Sequence, residues 1–220
     1  MQSYESLAAC YDALMDDVDY AAWGNYVVSL LKQRGIVRGR ILDAACGTGA
    51  VTEQLLAARY DVIGLDVSEQ MLEHAANRLR KKGFRCQLIC RDMCDIDLHR
   101  AMDAINCSCD GVNYLTKDRD VLRFFQSAFD HLRPGGVLTF DISSKEKLSS
   151  MAGQFYAEDR GDIAYIWNNT MEDRVLEMDL AFFTRRQDGL YVRTDEVHRQ
   201  KAHEADDLIK MLEQTGFMDI

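Results

Sequence analysis

Apolar positions along the chain recur with two different periods, and the change from one to the other divides it. From Tyr20 to about Arg34, Trp23, Val27, Leu30 and Leu31 fall near a 3.6-residue period, with Gly35 just beyond, which predicts an amphipathic helix. Short apolar runs follow: Arg40–Ala44, Asp61–Asp66, Phe84–Cys90, Met102–Cys107 and Val137–Ile142, each of strand length and suited to burial on both faces of a parallel sheet. Helical patterns separate them. One opens at Ala50; another runs from Glu69 to Lys82 behind the N-cap Ser68, with Met71, Leu72, Ala75, Ala76 and Leu79 inward and Gly83 at its end. A third, Lys117 to Leu132, is expected to bury Val121, Leu122, Phe125 and Phe129, and Arg133-Pro134-Gly135-Gly136 reads as a turn.

After a short polar helix over Ser143–Gly153 the period falls toward two. Ala164–Asn169, Val175–Thr184 and Leu190–His198 alternate, and Asp188-Gly189 reads as a hairpin turn. A last helix spans Glu204 to Gln214, with Leu208, Met211 and Leu212 inward and Gly216 as its cap. The pattern predicts an α/β fold: a parallel sheet with helices on both faces (residues 1–153 and 202–220) carrying an inserted antiparallel lobe over residues 154–201 with one packed and one wet face.

Composition narrows the function classes. At 220 residues and 47% hydrophobic, the chain can bury one sizeable core. Its formal net charge of −10 repels polyanions, which argues against broad nucleic-acid binding. No apolar run reaches the roughly 18 residues of a membrane span, and the start Met-Gln-Ser-Tyr-Glu is not that of a signal peptide, so a cytoplasmic protein with seven reduced cysteines is expected. Cys86, Cys90 and Cys94 recur at a spacing of four, but neither His74 nor His99 completes a zinc pattern, so no metal is expected.

Chemistry concentrates where the first strand breaks into glycines, Asp43-Ala-Ala-Cys-Gly47-Thr-Gly49-Ala50. Gly47 and Gly49 admit close backbone approach to a ligand, and the helix that follows offers unpaired N–H groups. A phosphate-binding P-loop needs Lys and Ser/Thr after its last glycine, where Ala50 and Val51 stand. A dinucleotide fingerprint needs a third glycine at the position of Thr52. What remains is Asp43-x-Ala45-x-Gly47-x-Gly49 with a second strand ending in Asp66, and here the chain resembles the class I S-adenosylmethionine (SAM)-dependent methyltransferases. Ala45 stands where that family carries its first glycine.

The resemblance implies SAM as cofactor, with Ala45, Gly47 and Gly49 admitting its amino-acid end and Asp66 receiving both ribose hydroxyls. It implies that Asp92-Met93 meets adenine, and that the run from Tyr11 to Trp23 folds over the cofactor, with Tyr11 near its carboxylate. Met71, one turn into its helix beside Asp66, could cover the adenine face. The turn Cys107–Leu115 contributes Cys109 as a cofactor contact and Asn113 and Tyr114 as candidates for the methyl-transfer channel. Family members that methylate nucleobase amines carry Asn/Asp-Pro-Pro-aromatic at this turn, and this chain does not. In the family, an insertion after strand five is often a substrate lid; on it, the run His198-Arg199-Gln200 is a candidate to meet an acidic or polar acceptor. The family also finishes its sheet with two further strands, the first of which would begin near Gly216–Ile220, so the expectation is either a truncated form or a sheet completed some other way, by a partner chain; a competing reading of the inserted lobe is a homodimer surface. The expected activity is methyl transfer to a small-molecule acceptor; the alternative is a SAM-binding regulatory or scaffold module without chemistry. A nicotinamide oxidoreductase is disfavoured by Thr52.

Overall fold

The computed structural model describes residues 18–220. Five parallel strands, β1 (Arg40–Ala44), β2 (Asp61–Asp66), β3 (Gln87–Cys90), β4 (Met102–Cys107) and β5 (Leu132–Phe140), form one sheet in the order β3-β2-β1-β4-β5. Helices α1 (Tyr20–Gln33), α2 (Ala50–Ala57), α3 (Glu69–Lys81) and α4 (Asp118–His131) alternate with them and cover both faces. One apolar cluster lies on each side of the sheet: Val27, Leu31, Ile41 and Leu55 on one, Leu42, Leu65, Ile105 and Phe125 on the other. The chain runs outward from β1 to β3 and then returns to place β4 on β1's other side, so a crevice opens at the carboxyl ends of β1 and β4.

Both amphipathic faces are offset from the expected ones by a fraction of a turn. In α1 the buried residues are Gly24, Val27, Val28 and Leu31, while Trp23 is 38% exposed. The cause is Gly24, where a Cβ would lie 2.3 Å from that of Gln54, so the two helices meet at a glycine that carries no hydrophobic signal. In α4 the buried set is Val121, Phe124, Phe125 and Ala128, an i, i+3, i+4, i+7 stripe. Phe129 instead lies 41% exposed, edge-on to Phe217 with ring centroids 5.4 Å apart. The expected turn at Arg133–Gly136 is an irregularity inside β5, whose pairing jumps from Met102↔Leu132 to Ala104↔Val137.

After α5 (Lys145–Met151), four strands form a separate antiparallel meander: β6 (Phe155–Asp159), β7 (Ile163–Glu172), β8 (Val175–Arg185) and β9 (Tyr191–Lys201). The edge strand β6 was not anticipated, because all five of its residues are exposed and leave no alternation to read. Burial alternates clearly in β8 and β9. Leu176, Met178 and Phe182 point inward on β8, and their neighbours on β9 are Gln200, His198 and Thr194. Leu148, Leu176, Met178 and Ala202 form a small core that seats the meander on α5. Helix α6 (Ala205–Thr215) returns the chain to pack Leu208 and Leu212 into the main core, and Gly216 at φ 100° ends it. Among the described residues, no helix is long and apolar enough to cross a membrane.

Candidate functional site

At the carboxyl ends of β1, β2 and β4 the described residues enclose a cleft. Its floor is set by Asp43, the fourth residue of β1, whose carboxylate accepts the Thr52 hydroxyl at 2.5 Å and the Asn106 amide at 2.8 Å. The three side chains are all but inaccessible to solvent. Burial pushes the Asp43 carboxyl up to about 6, with the two hydrogen bonds pulling the other way.

Above it the glycine loop turns through positive φ at Ala45 (54°), Gly47 (54°) and Gly49 (77°). A Cβ on Gly47 would meet no protein atom within 4 Å, so this glycine faces open cleft. One on Gly49 would come within 3.0 Å of the Ala75 Cβ, so that glycine serves the approach of α2 to α3 and does not line the cleft. Asp66 sits on the opposite wall. Its two oxygens accept the Gly47 N–H at 2.8 Å and the Ser68 N–H at 2.9 Å, joining the loop to the N-terminus of α3. Burial raises its pKa, and a carboxylate holding two such bonds keeps acceptor positions for a ligand diol.

Met71, Asp92, Met93, Cys109 and Tyr114 also line the cleft, as does Ala45. Asp92 additionally accepts the Cys94 N–H at 2.8 Å, capping the 3₁₀ turn that presents Met93. Cys109 and Asp110 are both left-handed, at φ 60° and 53°, an uncommon conformation for residues with a Cβ. Asp141 at the end of β5 holds them there, accepting the Cys109 N–H at 2.7 Å and the Asp110 N–H at 2.8 Å. Asp110 itself lines the cleft; it accepts Ser143 Oγ at 3.0 Å and Gln200 Nε2 at 3.1 Å, and burial raises its pKa. Burial drives the Cys109 thiol up to about 12, so it stays protonated and unreactive.

Three of the acceptor-side candidates take other places. Asn113 is fully buried outside the cleft: it bonds the backbone N–H and carbonyl of Ser143 and the carbonyl of Lys201. Arg199 points to the outer, wet face of β9 and pairs with Glu177 at 2.6 Å. Its neighbour His198 faces inward but behind Tyr114, with Tyr114 Oη 3.3 Å from Nδ1 and Glu196 Oε2 2.9 Å from Nε2. Tyr11 lies outside the described residues. Sequence reasoning missed Asp110, Asp141 and Glu196. The signal for Glu196 was present, because Glu196, His198 and Gln200 alternate with Val197 in a sense opposite to an ordinary half-buried strand.

A strand-loop-helix with an open glycine, an acid closing the second strand and an Asp-Met pair after the third define the SAM-dependent methyltransferase class. The family model described as a methyltransferase domain matches residues 41–136. A protein of Geobacillus sp. (strain WCH70) named as a methyltransferase is 33% identical over 219 residues, covering 98% of this chain and 89% of its own. The crystal structure of a SAM-dependent methyltransferase from Clostridium acetobutylicum superposes with a TM-score of 0.87 at 33% identity, covering 96% of this chain and 87% of that one. Shorter matches, each 34% identical, are to a glycine/sarcosine N-methyltransferase of Halorhodospira halochloris (60% of this chain, 49% of the relative) and a dTDP-4-amino-2,3,4,6-tetradeoxy-D-glucose N,N-dimethyltransferase of Saccharopolyspora spinosa (61% and 53%). The chain belongs to the SAM-dependent methyltransferase family: it is an enzyme, and SAM is its methyl donor.

Proposed function

We propose that this enzyme methylates an amine nitrogen of a small polar molecule. The observation that carries the reading is Asp110, a carboxylate lining the cleft next to Tyr114 beneath the polar face of β9. Asp43, Asp66 and Asp92 line it too, against Arg91, the single cation among the described lining residues, so the lining is net anionic, an environment that favours cationic ligands over anionic ones. An alkylammonium acceptor and a sulfonium donor are both cations. The two shorter-matching relatives are named for transfer to nitrogen, which points the same way.

Bound SAM supplies a methyl group on a positively charged sulfur. The protein's part is to hold the reactants in line and exclude water. Asp66 would receive the ribose, Asp92 and Met93 the adenine, and Gly47 would leave room for the amino-acid end. Residues 154–201 form the acceptor-side lid in this reading, with Tyr165 and Trp167 on the inward face of β7. The test is a transfer assay with methyl-labelled SAM and a panel of glycine, sarcosine and a nucleotide-linked amino sugar, read by mass spectrometry. Methylation at nitrogen of any of them is expected. Transfer confined to hydroxyl or carbon acceptors overturns the amine reading.

A further inference from the structure

Strand β9 carries an unusual load. Its inward face presents Glu196, His198 and Gln200 at 3%, 4% and 5% exposure, while the apolar Val197 between them faces solvent. Burying a carboxylate and an imidazole is unfavourable unless they are paired, so an inward polar row on a lobe strand calls for a use. Gln200 bonds Asp110 in the cleft wall. His198 and Glu196 extend a line that begins in the cleft: Tyr114 lines it, its hydroxyl lies 3.3 Å from His198 Nδ1, and His198 Nε2 lies 2.9 Å from Glu196 Oε2. The Tyr114 and His198 rings meet edge-on, with centroids 5.9 Å apart at 78°.

We propose that Tyr114, His198 and Glu196 are a proton relay that deprotonates the acceptor amine. The inference rests on the amine reading above. In this relay Glu196 Oε2 accepts the proton carried on Nε2, which leaves Nδ1 to accept from the Tyr114 hydroxyl. The hydroxyl oxygen, in turn, takes the proton of the bound ammonium as its own passes to Nδ1. The acceptor becomes a neutral amine and the imidazole an imidazolium beside the Glu196 carboxylate. The nitrogen lone pair so released forms the new N–C bond while the C–S bond breaks and its electron pair stays on sulfur. Tyr114 is the catalytic residue; His198 and Glu196 are positioning residues that act through it.

Three variants and one measurement on the parent test this. Tyr114→Phe keeps the ring packing and removes the hydroxyl. His198→Gln keeps an acceptor for that hydroxyl but cannot carry the proton, and Glu196→Gln keeps the shape without the charge. With sarcosine as the probe amine, Tyr114→Phe and His198→Gln are expected to lower kcat on the order of 100-fold or more, Glu196→Gln less, with the KM for SAM unchanged. A His198→Gln enzyme with parental kcat overturns the relay, as does a loss confined to KM. Nitrogen-15 NMR of the histidine-labelled parent separates the relay from the choice of acceptor. His198 should show a proton on Nε2 and a bonded, unprotonated Nδ1 that shifts in Tyr114→Phe. A proton on Nδ1 overturns the relay even if amines are methylated. The expected spectrum in an enzyme that methylates no amine overturns the amine reading, and with it the proton donor assigned here.

Discussion

Thr52 donates its hydroxyl to the Asp43 carboxylate at 2.5 Å, with both side chains shut away from solvent. Thr52 occupies the position where a dinucleotide-binding loop would have its third glycine, so the residue that argued against that ligand has a task of its own. Together with Asn106 it satisfies a carboxylate buried at the base of the cleft, tying β1, α2 and β4 into one rigid floor.

The Asp43 environment fixes a pH dependence. Its folded pKa is raised from 3.8 to about 6, so its contribution to stability is complete below its unfolded pKa and is lost as pH rises through about 6. At 1.36 kcal/mol per unit, the loss is roughly 3 kcal/mol. Denaturant unfolding from pH 4 to 7, a window that opens just above the unfolded pKa, should show the parent losing most of that beyond what Asp43→Asn loses. Any fixed cost of the amide cancels in the difference, and the same-signed contributions of Asp66, Asp110 and Asp141 are common to both proteins. Parallel pH profiles would show that Asp43 does not titrate in this window.

Asp66 does two jobs, which changes how it should be tested. An alanine there would free both the Gly47 and the Ser68 N–H and loosen the glycine loop along with any ribose contact. Asp66→Asn retains the shape and one acceptor oxygen. It should fold and lose about 1.5 to 3 kcal/mol of SAM binding, the worth of a hydrogen bond to a charged acceptor. Titration calorimetry reads this directly, and parental affinity in the folded variant would detach Asp66 from the cofactor.

The two loop glycines should fail differently. Both are left-handed, so alanine at either costs on the order of 1 to 2 kcal/mol of stability. Gly49→Ala adds a Cβ 3.0 Å from that of Ala75 and should melt lower than Gly47→Ala. Gly47→Ala puts its methyl into the open cleft and should lose SAM affinity tenfold or more, out of proportion to its stability. Melting and calorimetry on the pair settle the assignment, which reverses if Gly49→Ala proves the weaker binder.

What could be read from the sequence follows from what kind of signal each feature leaves. Strands β2 and β4 were placed to the residue because apolar runs bounded by acids, glycines and cysteines leave little choice of ends. The Asp43–Gly49 loop and Asp66 were legible because close backbone approach needs glycine at fixed spacing. The faces of α1 and α4 were harder, since Gly24 is a contact made by having no side chain and Phe129 is an aromatic left at the surface. Asp110 and Asp141 were missed because their partnership is made by the fold: 31 residues apart in the chain, they meet only when β4 and β5 lie side by side.

Asn113 is the clearest instance of a residue whose role depends on tertiary contacts. Its carbonyl accepts the Ser143 N–H at 2.9 Å, and its amide donates to the carbonyls of Ser143 at 3.1 Å and Lys201 at 2.9 Å. Ser143 lies just before the antiparallel lobe's supporting helix, and Lys201 is the last residue of β9, so one buried side chain grips both ends of the lobe at the cleft wall. Asn113→Ala leaves a buried donor and two acceptors without this partner, at a cost of roughly 2 to 4 kcal/mol. If residues 154–201 act as a unit, the variant should show faster hydrogen exchange throughout β6 to β9 while β1 and β4 keep their protection, because the parallel sheet draws nothing from these bonds. SAM affinity should stay within a few-fold of the parent, and methyl transfer should fall. Exchange that rises equally in both sheets would mean that the lobe and the SAM-binding core unfold together, and that the lobe is not a separate lid.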